Sequence, residues 1–264
     1  MKIVCYAHAE HQREAIGRFM RGLERHGITA TMKIPQEVED CDLAVVWGHR
    51  QNRIQDRQRS KGLHYLVMER GYIGDRFEWT SLGFDGLNGR AVFPAINDGM
   101  VRWNKHFAGY LKPWREQKTN IAIAVIMGQV PQDEAVKSIN FFDWASNIAK
   151  SLEQTGFFPV LRAHPGAARM EIAGVRKLEG SLDDALNQAA LAVTYNSNSG
   201  VDAVLAGVPT YAADPGSMVF ELSAKNFCIS RPDRGAWCAK MAYTQWNTEE
   251  IENGEAWGAL KTVW

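Results

Sequence analysis

The sequence predicts an α/β protein made of two facing Rossmann-like domains, and three observations carry that expectation. Short apolar runs alternate with amphipathic stretches of helical spacing in residues 1–68, and again from 120 onward. An irregular stretch rich in Gly and aromatics, residues 71–99, separates the two alternations. A length of 264 residues accommodates one large domain or two small ones, each with a core of its own. The boundary falls near 115–119, giving domains 1–118 and 119–264.

The elements follow in order. Residues 2–7 read as the first strand. Over 10–26 the apolar residues Ala15, Ile16, Phe19, Met20 and Leu23 recur at helical spacing, and Gly27 is placed to end that helix. Residues 29–34 and 43–47 (Leu-Ala-Val-Val-Trp) are strand candidates, the basic segment 50–61 a short helix, and 64–68 another strand. Residues 71–99 show neither period, and a stretch of that length without regular structure is usually functional or a linker. Residues 100–118 read as a helix running into a hinge at Leu111-Lys112-Pro113-Trp114-Arg115. The second alternation opens on 120–127, the most strand-like run in the chain. It continues with a helix over 138–154, strand 159–162, helix 182–188, strand 191–195, helix 200–206 and strand 210–212. Amphipathic helices over 236–246 and 248–260 close the second domain.

Composition excludes several classes. Cys5, Cys41, Cys228 and Cys238 lie far apart with no Cys-x-x-Cys spacing, against a disulfide framework or a structural zinc site and in favour of reduced thiols in a cytoplasm. Met1-Lys2 leads directly into a strand too short for a signal peptide, and no apolar run approaches the roughly 20 residues of a membrane span. The expectation is a soluble, cytoplasmic protein with no membrane partner. Residues 1–118 hold 19 Lys/Arg against 14 Asp/Glu, so the first half suits a polyanionic acceptor or simply carries an uneven surface charge.

The strongest chemical signal runs from Leu191 to Pro209. A buried strand ends in Asn196-Ser197-Asn198-Ser199-Gly200, where Gly200 opens a helix. That order aims backbone N–H groups and the positive helix end at one spot suited to a phosphate, with side-chain donors from Ser197, Asn198 and Ser199. Ser and Asn also serve as ordinary N-caps, but four such residues in sequence exceed what a cap needs. One strand earlier stands Arg162-Ala163-His164-Pro165. Arg162 offers a planar fork for phosphate oxygens, His164 a hydrogen bond or charge near neutral pH, and Pro165 ends the strand. Gly128 and Gln129 follow the first strand of the second domain, either where backbone approaches a ligand or as a plain strand-to-helix turn. Asp202 stands one helical position beyond the phosphate loop, as a ribose ligand or as a first-turn carboxylate. Ser217 and Met218 follow the next strand as further donor contacts.

These residues carry a resemblance. The pairing of Arg162-x-His164-Pro165 with Ser197-x-Ser199-Gly200-x-Asp202-Ala203-x-x-x-Gly207-x-Pro209 resembles the nucleotide-binding half of GT-B-type glycosyltransferases, with capsular polysaccharide transferases acting on CMP-activated sugars nearest in motif. Together with Gly128-Gln129-Val130-Pro131 and Ala242-Tyr243-Thr244-Gln245-Trp246, the string is similar to small glycosyltransferases encoded by bacteriophages. The resemblance covers most of 120–260, and in the first half rests on Glu69-Arg70-Gly71-Tyr72 and the loop after it. It implies a GT-B-like fold, a nucleotide-sugar as co-substrate (a UDP-sugar first among them) and no separate cofactor. It places the donor phosphates on His164, Ser197 and Ser199. Transfer with inversion needs a general base from the first domain, and Glu69 is the first candidate; the alternative is a surface Glu–Arg pair, and Asp85, Asp98, His8 and His49 stand behind it. Acceptor contacts are expected at His49, Arg70, Arg76 and Asp85. No Asp-x-Asp motif appears, so no metal is implied. The likeness to phage enzymes, joined to the arginines 50, 53, 57, 59, 70, 76 and 90 and the loop 71–90, implies a hydroxymethylated pyrimidine in phage DNA as acceptor. The alternatives are a saccharide acceptor, as in capsule synthesis, and a nucleotide-sugar-binding protein without turnover.

Overall fold

The structure is a computed structural model that describes residues 1–49, 52–116 and 121–264. Arg50, the boundary at 118–119 and the start of the strand expected from 120 lie outside the described residues. Along the chain run β1 (Ile3–Tyr6), α1 (Glu10–Glu24), β2 (Ala30–Lys33), β3 (Leu43–Trp47), α2 (Asn52–Ser60), β4 (His64–Arg70), β5 (Trp79–Phe84) and α3 (Val101–His106). They are followed by β6 (Ile123–Met127), α4 (Phe141–Gln154), β7 (Phe158–Arg162), β8 (Arg176–Lys177), α5 (Leu182–Gln188), β9 (Leu191–Thr194), α6 (Ser199–Leu205) and β10 (Thr210–Ala212). The chain ends with α7 (Gly235–Met241), β11 (Gln245–Asn247), α8 (Thr248–Glu252) and α9 (Glu255–Leu260).

Two compact units result, one of residues 1–108 with 235–264, the other of residues 109–234. The first contains a six-stranded sheet ordered β11-β5-β4-β3-β1-β2, in which β1 to β4 are parallel, β5 runs antiparallel to β4, and β11 pairs antiparallel with β5. Alternate residues of β1 serve opposite faces: Ile3 and Cys5 join the core under α1, while Val4 and Tyr6 join the one under α2. The second unit contains an all-parallel sheet ordered β10-β9-β6-β7-β8. There Ala124 and Ile126 pack toward α4, and Val125 and Met127 toward α5 and α6.

The expected α/β class and its two parallel sheets are present, but the division at 118–119 does not describe the chain. The C-terminal segment belongs to the first unit, for two reasons. Strand β11 adds to the sheet edge against β5, pairing Trp246 with Thr80. Ile251, Trp257 and Leu260 enter the core formed by Phe19 and Leu23. A buried ion pair pins the same segment from inside: Arg102 bonds both carboxylate oxygens of Glu250, donates to the Ala242 and Gln245 carbonyls, and stacks 4.2 Å from the Trp246 ring. Burial alone would raise the Glu250 pKa, but the Arg102 guanidinium outweighs it and holds the carboxyl below the ordinary 4.5.

Local differences have local causes. The helix expected over 236–246 stops at Met241, because Trp246 is claimed by the sheet edge. The helix expected over 248–260 breaks at Gly254, whose φ of 91° is left-handed. Residues 71–99, expected to be irregular, contain β5; all six of its residues are buried, so no alternation marks it.

Candidate functional site

In the second unit β6 lies between β7 and β9, so the strand order reverses there. Ligands in open α/β sheets bind in the crevice outside the carboxyl ends of the strands at such a reversal. The chain leaves that edge after β6 at Gly128, after β7 at Ala163, after β9 at Tyr195 and after β10 at Ala213. Gly128, Gln129, Arg162, His164, Ser197, Asn198, Ser199, Gly200, Asp202, Ser217 and Met218 therefore all fall on one sheet edge or in the first turn behind it.

Arg162 is the last residue of β7, in register with Met127, and is half-buried. Its guanidinium makes no hydrogen bond or ion pair among the described residues and remains open to an anion. The His164 ring is oriented by its own turn: Nδ1 accepts from the Gly166 backbone N–H at 3.0 Å. In the neutral ring this bond assigns the proton to Nε2, which is then a donor. Ser199 Oγ lies 2.9 Å from Ser197 Oγ, and the Ser199 N–H also points to Ser197 Oγ at 3.3 Å. With Ser197 Oγ accepting both, its own O–H is left to donate.

Other residues of the loop do different work from that expected. The N–H groups of Ser197 and Gly200 already bond Thr194 Oγ1 at 2.8 Å and the Ser197 carbonyl at 3.0 Å. Helix α6 is seven residues long, so little macrodipole stands behind it. The positive charge of this edge therefore comes from Arg162, with the His164 Nε2–H as a neutral donor, rather than from a vacant amide nest. Gly128 has no room for a side chain because a Cβ would sit 3.0 Å from the Arg162 carbonyl and the His164 nitrogen; it seats the Arg–Ala–His segment instead of a ligand. Gly200 is equally constrained by Val219 at 2.9 Å, which lets α6 close onto the sheet. Ser217 is buried and its Oγ faces the Val219 N–H at 3.4 Å. Met218 is buried as well, and Asp202 is half-buried in α6.

Asn196 is the residue whose role the sequence concealed. It is 3% exposed, and its hydrogen-bonding groups are spent on neighbouring loops. Its Nδ2 donates to Asp214 Oδ2 at 2.6 Å and to the Ala135 carbonyl at 2.8 Å. Its Oδ1 accepts from Gln129 Nε2 at 2.9 Å, and its backbone N–H donates to Gln129 Oε1 at 3.1 Å. Gln129 and Asp214 are buried too. Asn196 and Gln129 thus join the loops after β6, β9 and β10 and have little capacity left for a ligand. The Asp214-Pro215-Gly216 turn signature was the available clue to the third loop.

In the first unit the strand order reverses between β1 and β3, and Glu69 and Arg70 end the neighbouring β4. Glu69 does not form the surface pair with Arg70: its Oε1 accepts from the Arg70 backbone N–H at 2.9 Å. Its Oε2 lies where a Cβ on Gly48 would be 3.2 Å away. The Arg70 guanidinium instead stacks 4.4 Å from the Phe77 ring and 5.8 Å from Trp47, and bonds the Arg76 carbonyl at 3.3 Å. Arg76 is exposed in the same loop. Asp85 does not join this group. Its Oδ1 accepts from the Tyr65 N–H at 3.1 Å and its Oδ2 lies 2.5 Å from His64 Nδ1, at the start of β4. Tyr65 is four residues before Glu69, about 13 Å along the strand. His49 turns to Gln55, 3.4 Å from its Nδ1, and packs 6.4 Å from the Tyr65 ring. Of the expected acceptor-side residues, Glu69, Arg70 and Arg76 come together, whereas Asp85 is a structural clamp.

Two of the arginines expected to favour DNA are spent on carboxylates. Arg57 pairs with Asp40, and Arg59 with Asp56 and the Tyr65 hydroxyl.

No family model and no curated relative matches the chain. Solved structures do. A β-Kdo 2,7-transferase of KpsC from Thermosulfurimonas dismutans superposes with a TM-score of 0.64 at 16% identity, covering 97% of this chain and 99% of the other. The β-Kdo 2,4-transferase of KpsC from the same organism gives 0.61 at 15% identity, covering 92% and 91%. At these identities the likeness establishes the fold, a GT-B-like pair of Rossmann-type α/β units.

Proposed function

We propose that the chain is a glycosyltransferase that takes a sugar from a nucleotide-sugar donor, a UDP-sugar first among them, and transfers it to an acceptor hydroxyl on a saccharide. The observation that carries this reading is the convergence of the open Arg162 guanidinium, the His164 Nε2–H and the Ser197–Ser199 hydroxyl pair at the reversal point of a parallel sheet. Anionic phosphate leaves as the bond to the anomeric carbon breaks. Arg162 and His164 offset the charge that develops on the leaving oxygen, and the serine hydroxyls hold the phosphate. The acceptor oxygen forms the new bond and gives its proton to a base, for which Glu69, without an ion pair among the described residues, is the candidate at the end of β4. Met218, Ser217 and Asp202 stand behind the phosphate contacts as positioning groups for the nucleoside. The same fold in two Kdo transferases supports a saccharide acceptor.

A hydroxymethylated pyrimidine in phage DNA is the second reading. It is favoured by Arg76, exposed beside Phe77, a residue 79% exposed whose ring carries Arg70 on one face and leaves the other for a base. The pairing of Arg57 and Arg59 with carboxylates weighs against it.

One assay addresses the set. The protein is incubated with UDP- and CMP-sugars together with either oligosaccharides or hydroxymethylated DNA, and products are read by mass spectrometry. A hexose or pentose added to an oligosaccharide is the expected result. Sugar on the digested nucleoside supports DNA instead, and donor binding with no turnover on any acceptor identifies a binding protein. No affinity for any nucleotide-sugar overturns the proposal. No helix among the described residues is long and apolar enough to cross a membrane, and the assay is run in aqueous buffer.

A further inference from the structure

At the end of β4 stands a cation that is held rigidly and has no counter-ion among the described residues. Arg70 is the last residue of β4, and its backbone is fixed on both sides. It is in register with Thr80 of β5, and the following N–H, that of Gly71, donates to the Trp79 carbonyl at 2.8 Å. Gly71 has no room for a side chain, since a Cβ there would sit 2.6 Å from Trp79 Cβ, so β4 and β5 stay in close contact just past Arg70. The side chain is held as well. Its guanidinium carbon lies 4.4 Å from the centre of the Phe77 ring and 5.8 Å from that of Trp47. Trp47 is braced in turn by the His11 ring, edge-on at 5.7 Å. One N–H, on Nη1, donates to the Arg76 carbonyl at 3.3 Å. The remaining N–H groups of Arg70 meet no acceptor among the described residues, and the side chain is half-buried. Stacking covers the faces of a guanidinium and leaves its edge, where the N–H groups lie, for a partner in the plane.

Glu69 and Arg70 are consecutive strand residues, so their side chains leave opposite faces of the sheet. Leu66 and Met68 belong to the core under α1, and Tyr65 and Val67 to the core under α2. The same alternation sets Arg70 on the α1 side, with His11 and Trp47, and Glu69 on the α2 side, where its Oε2 lies close to Gly48. The strand order reverses beside them, between β1 and β3, which is where ligands of open α/β sheets bind. A ligand lying across the end of β4 therefore meets a fixed cationic fork on one side and a carboxylate on the other. Two N–H groups in one plane match the two oxygens of a carboxylate. A neutral sugar leaves that cation unmatched, and an amine is repelled by it. A polyphosphate chain asks for a row of cations, and Arg57 and Arg59 are committed to Asp40 and Asp56. We propose that Arg70 selects an acidic saccharide as acceptor, with the saccharide carboxylate on the guanidinium edge and the hydroxyl that receives the sugar turned toward Glu69. This rests on the glycosyltransferase reading and adds to it the class of acceptor.

The test uses the full chain without donor and reads saccharide binding by saturation-transfer NMR. D-glucuronate and D-galacturonate are compared with D-glucose and D-galactose, which carry a hydroxymethyl group in place of the carboxylate. The expected result is that at least one acid binds with a midpoint on the order of 1–10 mM, about tenfold more tightly than its neutral counterpart. Arg70→Gln is expected to abolish that difference. Arg70→Lys should restore part of it, because lysine keeps the charge without the fork. Thermal melts confirm that both variants fold, and binding of UDP- and CMP-sugars, measured in parallel, should be the same in all three proteins. Equal binding of acid and neutral sugar, no acid bound up to about 100 mM, or an acid preference that survives in folded Arg70→Gln each overturns the proposal while nucleotide-sugar binding stands. A short hydroxymethylated DNA duplex that binds more tightly than either acid, and loses its affinity in Arg70→Gln, assigns Arg70 to a phosphate and also overturns it. Absence of nucleotide-sugar binding in the wild type brings down the transferase reading itself, and the acceptor role with it.

Discussion

Gln129 and Asn196, sixty-seven residues apart, hold each other by two hydrogen bonds, Nε2 to Oδ1 at 2.9 Å and backbone N–H to Oε1 at 3.1 Å. Through Asp214 and the Ala135 carbonyl the pair makes one surface of the loops that leave β6, β9 and β10. Hydrogen bonds to a buried charged group contribute about 1.5–3 kcal/mol each. Asn196→Ala is therefore expected to destabilise the chain by about 2–3 kcal/mol in urea and to weaken nucleotide-sugar binding. Asn196→Asp should be worse, because it sets a carboxylate against Asp214. Equal stability of the wild type and both variants in urea denaturation would remove the latch.

The proposed phosphate contacts give a second expectation. His164→Ala and Ser199→Ala should each weaken donor binding about tenfold, and Arg162→Ala by more, because its bonds are charge-assisted. None touches the core, so melting temperatures should move little. Calorimetric titration with UDP and CMP-sugars checks this; unchanged affinity in all three variants refutes the assignment.

Gly128→Ala tests the seating of that segment without touching a ligand group. Its Cβ would meet the Arg162 carbonyl and the His164 nitrogen at 3.0 Å, so the backbone must give way. The expected outcome is weaker donor binding in a chain that still folds, read by the same titration beside a circular dichroism melt.

Glu69→Gln separates proton transfer from binding. Loss of a positioned base lowers kcat by about 10²–10⁴. The donor KM should stay near wild type, since Glu69 belongs to the other unit from the phosphate contacts. A kcat within threefold of wild type on a saccharide acceptor would exclude Glu69 as the base.

Stability against acid should depend on Glu250 and His106. The Glu250 pKa is depressed in the folded chain, so the stability it contributes is present above 4.5 and lost as pH falls through its lower folded value. The His106 pKa is also lowered, by burial first; the unfolded chain takes up that proton more readily, and stability declines as pH drops below 6.5. Breaking a buried pair costs about 3–5 kcal/mol, so Glu250→Gln should be destabilised at pH 7 and show a flatter dependence below 4.5. Urea denaturation at a series of pH values measures both.

Legibility from sequence was uneven for physical reasons. Buried parallel strands such as Ile123–Met127 and Leu43–Trp47 are continuous apolar runs, and amphipathic helices such as Phe141–Gln154 carry their period openly. Strand β5 was hidden because both its faces are covered and Gly83 interrupts it. From sequence the C-terminal segment falls to the nearer unit, since the pairing of Trp246 with Thr80 spans most of the chain and leaves no local trace.

By itself the sequence determined the α/β class and the strands at whose ends Arg162, His164, Ser197 and Ser199 stand, because these depend on period and on residue types a few positions apart. Only the tertiary structure decided which of those residues remain open. It spent Asn196 on neighbouring loops, gave Gly128 to the Arg–Ala–His backbone, drew Asp85 to the far end of β4, and held Arg70 against Phe77 and Trp47. Hydrogen-bond saturation and close packing are settled between residues distant in sequence, where composition and spacing carry no signal.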